Sequence, residues 1–427
     1  MREAIDLALA ASPDVANAED TLAIARSNFS LVARKKPVNP VVKVDAGVEA
    51  RWDTGWNSYE DMKQISLSVE DSVPTGRYLN GPSSEEKLVA LQVRDAERNL
   101  ELTREDVIYK TMSAYIAVLK AQKSLTLAQK AFDLEQTLFL DTRTKLELGV
   151  ASTSDLLKAQ QALDEARAGV SKAQAALEVS YFQFNQLTGR PPETPVILVD
   201  QFKYSSSSYD LDQMIASALE KRAEIQKARD DLTKAKVNLD DVLQSQKPVV
   251  TVSGGYTGED WSFGLSTKSP RWDLGWQAGG WYTEGKVEAS EPRTGWHVGL
   301  DISWTPFDGG VGKEKEKEAR ITVAQMERQI REQESQVALS VRQAYNDLEA
   351  AQDAVLNTET SLRLAQENLK IIELRRQGGY ATDRDVKQAD LAVLQARLNN
   401  EFAIYDYILA EAKLRRAAGQ SFGVEEG

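Results

Sequence analysis

At 427 residues the chain exceeds one ordinary core, so two domains or one repeated architecture are expected. Its 65 acidic against 52 basic residues leave a net charge of −13, which sets nucleic acid aside, because phosphate neutralisation depends on clustered Lys and Arg. The absence of cysteine and the single histidine, His297, remove disulfides, thiolate zinc sites and Cys nucleophiles, and leave little for His-based chemistry.

The opening MREAIDLALAASPDV mixes Ile5, Leu7 and Leu9 with charges, an amphipathic helix pattern. It lacks a signal peptide's basic start and apolar centre, so the chain is cytoplasmic or an export signal has been trimmed. No run of about 18 apolar residues follows anywhere, which excludes a transmembrane helix and leaves strands or a surface for any membrane contact.

Residues 41–53, VVKVDAGVEARWD, alternate strictly. Val42, Val44, Ala46, Val48, Ala50 and Trp52 share one face of an extended chain, with Lys43, Asp45, Glu49, Arg51 and Asp53 on the other. Residues 63–73 repeat the pattern, with Ile65, Leu67 and Val69 opposite Ser66, Ser68 and Glu70. A long helix is then predicted from about Ser84 to Leu146, roughly 95 Å at 1.5 Å per residue. Its seam of Val107, Thr111, Ala114, Val118, Ala121, Leu125, Ala128, Phe132, Glu135 and Phe139 is spaced four, three, four, three. The turn LGVASTSDLLKA at 148–159 closes it and starts a returning helix.

The second half repeats the first. A shift of 230 residues brings Tyr115 onto Tyr345, Gly149 onto Gly379, Asp155 onto Asp385, Arg167 onto Arg397 and Gly189 onto Gly419. Upstream, PVVKVDAG at 40–47 meets PVVTVSGG at 248–255 at a shift of 208. The expected repeats are 1–207, with strands at about 41–53 and 63–73 and a tip turn at 147–153, and 208–427, with strands at about 248–257 and 295–305 and a tip turn at 377–383. Pro40 and Pro248 start strands, where a missing amide proton is tolerated. The second long helix, Gly312 to Gln377, carries Val337, Val341, Ala344, Leu348, Ala351, Val355, Thr358, Leu362, Ala365 and Leu369 on the same seam.

The extra residues of the second copy lie between its two strands. GEDWSFGLSTKSPRWDLGWQAGGWYTEG at 258–285 reads as a long outer loop or an added hairpin, and a loop folding at the mouth is the expectation. All eight tryptophans fall in the strand regions and none in the long helices. Trp52, Trp272, Trp276, Trp296 and Trp304 are the candidate membrane-interface residues, since indole rings favour that interface and aromatic girdles bracket the apolar band of transmembrane barrels. Four strands cannot close a barrel in lipid, so copies of the chain must pool them; a dimer supplies eight and a trimer twelve.

These features together resemble the outer-membrane efflux protein family, the TolC-like channels. The resemblance is carried by the duplicated order of elements, by SWTPFDGGVGKEKEKEAR at 303–320 and by the paired turns at 148–159 and 378–389. It implies a mainly α fold with transmembrane β: long coiled-coil hairpins forming an α-barrel tunnel, plus four strands per subunit in a shared, trimeric, twelve-stranded β-barrel. It also implies a homotrimer in outer-membrane lipid with a periplasmic extension, joined through a periplasmic adaptor (membrane fusion) protein to an inner-membrane transporter. The implied activity is passive exit of small molecules or proteins in efflux or type I secretion, without enzymatic chemistry or a cofactor. A periplasmic adaptor and a coiled-coil scaffold without a pore are the alternatives.

The tip turns have a structural reading and a functional one. Ser152 and Thr382 stand three residues before Asp155 and Asp385, the spacing of a capping box, and Gly149 and Gly379 suit helix ends. In similar channels an aspartate six residues after the second turn's glycine lines the closed periplasmic entrance, and Asp385 matches. A further acidic position is Gln388 here and a basic one is Ala381, while Asp383, Arg384 and Asp390 offer another network. Asp385, Asp155, Gln388, Asp383 and Arg384 are thus the candidate gate. Gly149, Val150, Ala151, Gly379, Tyr380 and Ala381 are the candidate adaptor-docking tips.

Overall fold

A computed structural model describes residues 1–33, 40–52, 59–73, 75, 82–198, 202–284, 294–305 and 307–420. The helices are α1 (Arg2–Ala11), α2 (Pro13–Ala33), α3 (Ser84–Glu147), α4 (Thr153–Thr188), α5 (Leu211–Lys221), α6 (Ala223–Ser245), α7 (Val311–Gln377) and α8 (Asp383–Ala417). The strands are β1 (Val41–Trp52), β2 (Tyr59–Val73), β3 (Val249–Thr257), β4 (Trp261–Lys268), β5 (Asp273–Glu284) and β6 (Gly295–Ser303). Among the described residues, no helix is long and apolar enough to cross a membrane. Two compact units result, 1–21 with 97–227 and 330–427, and 22–96 with 228–329. Each draws on both halves of the sequence.

The first unit is helical, and its core follows the predicted seam. Val337, Val341, Ala344, Leu348 and Val355 of α7 are buried, packed with Met214, Ala218, Ile225, Tyr407 and Leu414. On α3, Val107, Thr111 and Val118 are buried, and Tyr115, Ile116 and Leu119 beside them join Phe184 and Tyr405 in a second cluster. Thr111 keeps its hydroxyl satisfied in this apolar setting by donating to the Val107 carbonyl, 2.7 Å away.

Two glycines end the returning helices in the left-handed region. Gly189 has φ 69° after α4, and Gly419 has φ 64° after α8. A Cβ on Gly189 would stand 2.6 Å from Ala11 Cβ, and one on Gly419 would stand 3.1 Å from Lys221 Cβ. Ala11 and Lys221 are themselves equivalent at a shift of 210, which also brings Ile5 onto Ile215 and Leu9 onto Leu219. Close approach and positive φ coincide at both sites, and glycine meets both demands.

The second unit holds a sheet with the order β1-β2-β5-β4-β3-β6, antiparallel at every junction. The four expected strands form where the alternation placed them, and the prolines at 40 and 248 immediately precede β1 and β3. The expectation of four strands, with 258–285 as a loop, is corrected: this segment forms β4 and β5, which enter the middle of the sheet. Its alternation of Trp261, Phe263 and Leu265 with Ser262, Gly264 and Ser266 is a strand pattern; the glycines, ordinarily depleted in strands, hide it.

Ser83 caps the start of α3, where the first copy lacks the Asp-Gly-Gly of the second. The Glu86 N–H donates to Ser83 Oγ at 3.1 Å and the Ser83 N–H to Glu86 Oε2 at 3.0 Å, a capping box. At the start of α7, Asp308 accepts instead from the N–H groups of Gly310 and Gly312, with Gly309 and Gly310 at φ 70° and 90°. These bonds hold the Asp308 carboxyl below the ordinary carboxylate range. In the charged run that follows, Lys317 pairs with Glu314 and Arg320 with Glu316 along the helix surface.

Candidate functional site

Cross-strand registers decide which side chains share a face of the sheet. Starting from β1, Val42 and Val44 lie opposite Val69 and Leu67 of β2. Val69, Leu67 and Ile65 lie opposite Ala278, Gly280 and Tyr282 of β5. Ala278 and Trp276 face Phe263 and Leu265 of β4, which face Tyr256 and Gly254 of β3. The row ends at Trp296, Val298, Leu300 and Ile302 of β6. One face therefore carries an apolar band across all six strands, bounded on β2 by Asp71 opposite Trp276, and the band is uncovered: Val44 is 66 % exposed, Leu300 66 % and Val298 88 %. A soluble sheet would bury such a face.

The opposite face is mainly polar or minimal, with Trp281 of β5 its large exception. It carries Lys43 paired with Glu70, then Ser66 and Ser68, Ser262 and Ser266, Thr251 and Ser253, and Asp301. His297 lies on this side, exposed, and a Cβ on Gly255 would stand 2.6 Å from its Cε1. Among the described residues, no group of three or more His, Asp or Glu is arranged to hold a metal ion.

The aromatic candidates divide. Trp296 stacks edge-on to Tyr256 at 5.1 Å, and Tyr256 in turn lies 5.2 Å from Trp261. Trp304 follows β6 eight residues after Trp296, a separation of about 26 Å along a strand, close to the apolar band of transmembrane barrels. Trp276 stands on the apolar face, half-buried, and Trp272 occupies the β4–β5 turn at φ 61°. The Trp52 side chain lies outside the described residues. Trp261, missed among the candidates, belongs to the apolar face and was discoverable once 261–268 was read as a strand.

At the other candidate site, both tips are built alike. Gly149 and Gly379 have φ 74° and 80°, the Val150 N–H donates to the Lys145 carbonyl, and the Tyr380 N–H donates to the Arg375 carbonyl, each at 2.8 Å. The Thr382 N–H and hydroxyl both donate to Asp385 Oδ2 at 2.7 Å, while the Asp385 N–H donates to Thr382 Oγ1 at 3.3 Å. Ser152 and Asp155 repeat the arrangement, at 3.0, 2.7 and 3.1 Å. Thr382's backbone and then its hydroxyl hold the Asp385 carboxyl below its usual range. Ser152's hydroxyl and then its backbone do the same for Asp155. Both aspartates are therefore capping residues at neutral pH. In each box Oδ2 takes both bonds.

Around the second tip, Asp383 pairs with Arg376 at 3.0 Å across the turn, a link that spacing alone did not reveal. Arg384 and Gln388 are exposed, Ala151 and Ala381 are half-buried, and Val150 and Tyr380 are exposed by 77 % and 87 %. The apolar tips stand free in the single chain.

The sequence model described as "Outer membrane efflux protein" matches residues 214–420. Outer membrane protein TolC of Vibrio cholerae serotype O1 is 24% identical over 334 residues, covering 77% of this chain and 71% of the relative. Over residues 214–420, close to half of its length, the chain is similar to outer membrane efflux proteins. Solved structures with this fold include CusC, at a TM-score of 0.71 and 14% identity over 98% of this chain and 92% of that one. The Campylobacter jejuni CmeC outer membrane channel gives a TM-score of 0.68 at 15% identity, covering 100% of this chain and 87% of that one. These similarities indicate a TolC-like channel protein of the outer membrane with a periplasmic extension. Its relatives are channels and not enzymes. The uncovered apolar face is what such a location requires of a sheet.

Proposed function

We propose that this protein is the passive exit duct of a tripartite efflux or type I secretion assembly. The observation that carries the reading is the sheet itself: one uncovered apolar face, one polar face, and two outer strands, β1 and β6, each with an unpaired edge. In lipid an open edge leaves backbone groups unsatisfied, so copies must join β6 of one to β1 of the next. Six antiparallel strands leave β1 and β6 running oppositely, so this seam is antiparallel for any number of copies. Family likeness supports three copies, a homotrimer whose helices continue the conduit into the periplasm. It also supports two sequence repeats per copy, and the equivalent packing of Gly189 on Ala11 and Gly419 on Lys221 agrees with that division.

In this reading the tips face the inner membrane. Their exposed Val150 and Tyr380, with Gly149, Ala151, Gly379 and Ala381, form the docking surface for a periplasmic adaptor, which links the duct to an inner-membrane transporter that supplies the energy. The Asp385 carboxylates, together with Asp155, Asp383, Arg384 and Gln388, line the closed entrance. Carboxylates converging on a narrow axis raise local cation concentration, so the pore is mildly cation-selective.

Planar-bilayer recording of the purified oligomer tests the proposal. Discrete conductance steps with a cation preference that falls in Asp385→Ala are expected. An oligomer that inserts but never conducts would refute the duct, and unchanged selectivity in Asp385→Ala would remove Asp385 from the entrance.

A further inference from the structure

Inserted segments between strands commonly form loops over a barrel's mouth, yet β4 and β5 are bonded into this sheet on both sides. β5 pairs with β2 from Lys63↔Glu284 to Val73↔Leu274, and β4 pairs with β3 from Thr251↔Lys268 to Thr257↔Ser262. The two strands also pair with each other along the full length of β4. Both ends of the insertion are fastened. At one, the Val250 N–H donates to Ser269 Oγ and the Ser269 N–H returns to the Val250 carbonyl, each at 2.8 Å. The Thr75 hydroxyl donates to the Trp272 carbonyl beside it at 2.6 Å. At the other, the Gly258 N–H donates to the Trp261 carbonyl at 2.7 Å and the Trp281 N–H to the Asp260 carbonyl at 2.9 Å.

Alternation provides the second, independent observation. Phe263 and Leu265 of β4 and Leu274, Trp276, Ala278 and Tyr282 of β5 fall on the same face as Leu67 and Leu300, while Ser262, Ser266, Gly275, Gln277 and Gly279 fall with Ser68 and Asp301. A lid packed over an aqueous mouth has no reason to present an apolar row flush with its neighbours. A wall strand between lipid and water must do so.

We propose that β4 and β5 are wall strands of the transmembrane barrel, so that each copy supplies six strands and a three-copy ring supplies eighteen. The inference rests on the duct reading above and changes its dimensions. With strands about 4.8 Å apart and tilted about 40°, twelve strands enclose a backbone ring roughly 24 Å across and eighteen a ring roughly 36 Å across. The inner face of the added strands is built mainly of Gly, Ser and Gln, with Trp281 as its large side chain and Lys268 and Asp273 as opposite charges at one end, so it narrows this ring chiefly at Trp281 and adds no net charge. The outer mouth consequently selects cargo by neither small differences in size nor charge, and discrimination falls to the helical part of the conduit. A wide, nearly neutral exit suits bulky solutes and polypeptides as well as small molecules.

The absence of native cysteine makes single-site labelling direct. Nitroxides on Phe263→Cys and Leu265→Cys, in the full chain reconstituted into liposomes, are expected to be accessible to oxygen and shielded from a water-soluble nickel chelate. Ser262→Cys and Ser266→Cys are expected to show the reverse. Wet labels at all four positions would overturn the inference. Pulsed dipolar distances between Val298→Cys labels on equivalent copies are expected to be about 10 Å longer than in a variant that joins Thr257 directly to Gly295, because removing six strands shrinks the ring radius by about 6 Å. That deletion leaves β2 antiparallel to β3 and so able to pair. Equal distances in the two proteins would also overturn the proposal; if the shortened variant does not assemble, the accessibility pattern decides. The mass of the detergent-extracted oligomer tests the three-copy reading separately: a different copy number alters the total of eighteen, while the labels still decide whether β4 and β5 stand in the wall.

Discussion

Gly189 approaches Ala11 so closely that the methyl of an alanine at 189 would stand 2.6 Å from the Ala11 Cβ. The backbone there is also left-handed, at φ 69°. Gly189→Ala therefore combines about 1–2 kcal/mol of backbone strain with about 1–3 kcal/mol of overpacking. Gly149→Ala, at φ 74° with open space around it, incurs the backbone part alone. Thermal unfolding followed by circular dichroism should rank the two variants in that order, and equal losses would show that α1 yields to the intruding methyl.

The tip caps carry a pH dependence. Hydrogen bonds from Thr382 depress the Asp385 pKa in the folded state, so the cap's contribution is full above the ordinary carboxylate range and is lost as pH falls through the depressed value. Amide hydrogen exchange at residues 382–386 should remain slow through pH 5 and accelerate only in stronger acid, after correction for intrinsic rates. Thr382→Ala should raise exchange at every pH and cost the local helix about 1 kcal/mol.

Glu105 behaves in the opposite sense. Burial, reinforced by Glu101, raises its pKa, against the opposing pull of Arg416 and Arg222. A raised carboxylate pKa means that the charged form weakens the fold above that pKa and that the penalty fades on acidification. Glu105→Gln should raise the melting temperature slightly at pH 7.5 and leave it unchanged at pH 4. A loss at pH 7.5 would mean that the arginine contacts outweigh burial.

Both sides of the sheet can be challenged by charge. Leu300→Arg places a cation on the apolar face of β6 and should cost about 2–4 kcal/mol in a bilayer, whereas Ser303→Arg, on the polar face at the strand end, should be tolerated. Heat-induced dissociation of the oligomer in membranes reports both.

Much of this was legible from residue spacing. Val44 and Leu67 announce strands because period-two alternation has few other causes, and Val341 and Leu348 announce a helical seam for the same kind of reason. The capping boxes at Ser152 and Thr382 were readable because they are local. Less legible was anything requiring strand order. Leu265 and Trp276 show the same alternation as Leu300, but Gly264, Gly275, Gly279 and Gly280 dilute it, and nothing in the linear chain says that β5 pairs with β2 across some two hundred residues. The Arg376–Asp383 pair was likewise invisible, since it depends on how the turn folds back. Gate and docking assignments at the tips concern contacts between molecules, which one chain's spacing does not encode.

Lipid contact by the apolar face is the central claim, and site-directed spin labelling in liposomes measures it most directly. Labels at Val44 and Leu300 should be open to oxygen and closed to an aqueous relaxation agent, with labels at Lys43 and Asp301 the reverse. If Val44 and Leu300 prove as wet as Lys43 and Asp301, the sheet does not stand in a membrane and the duct does not exist.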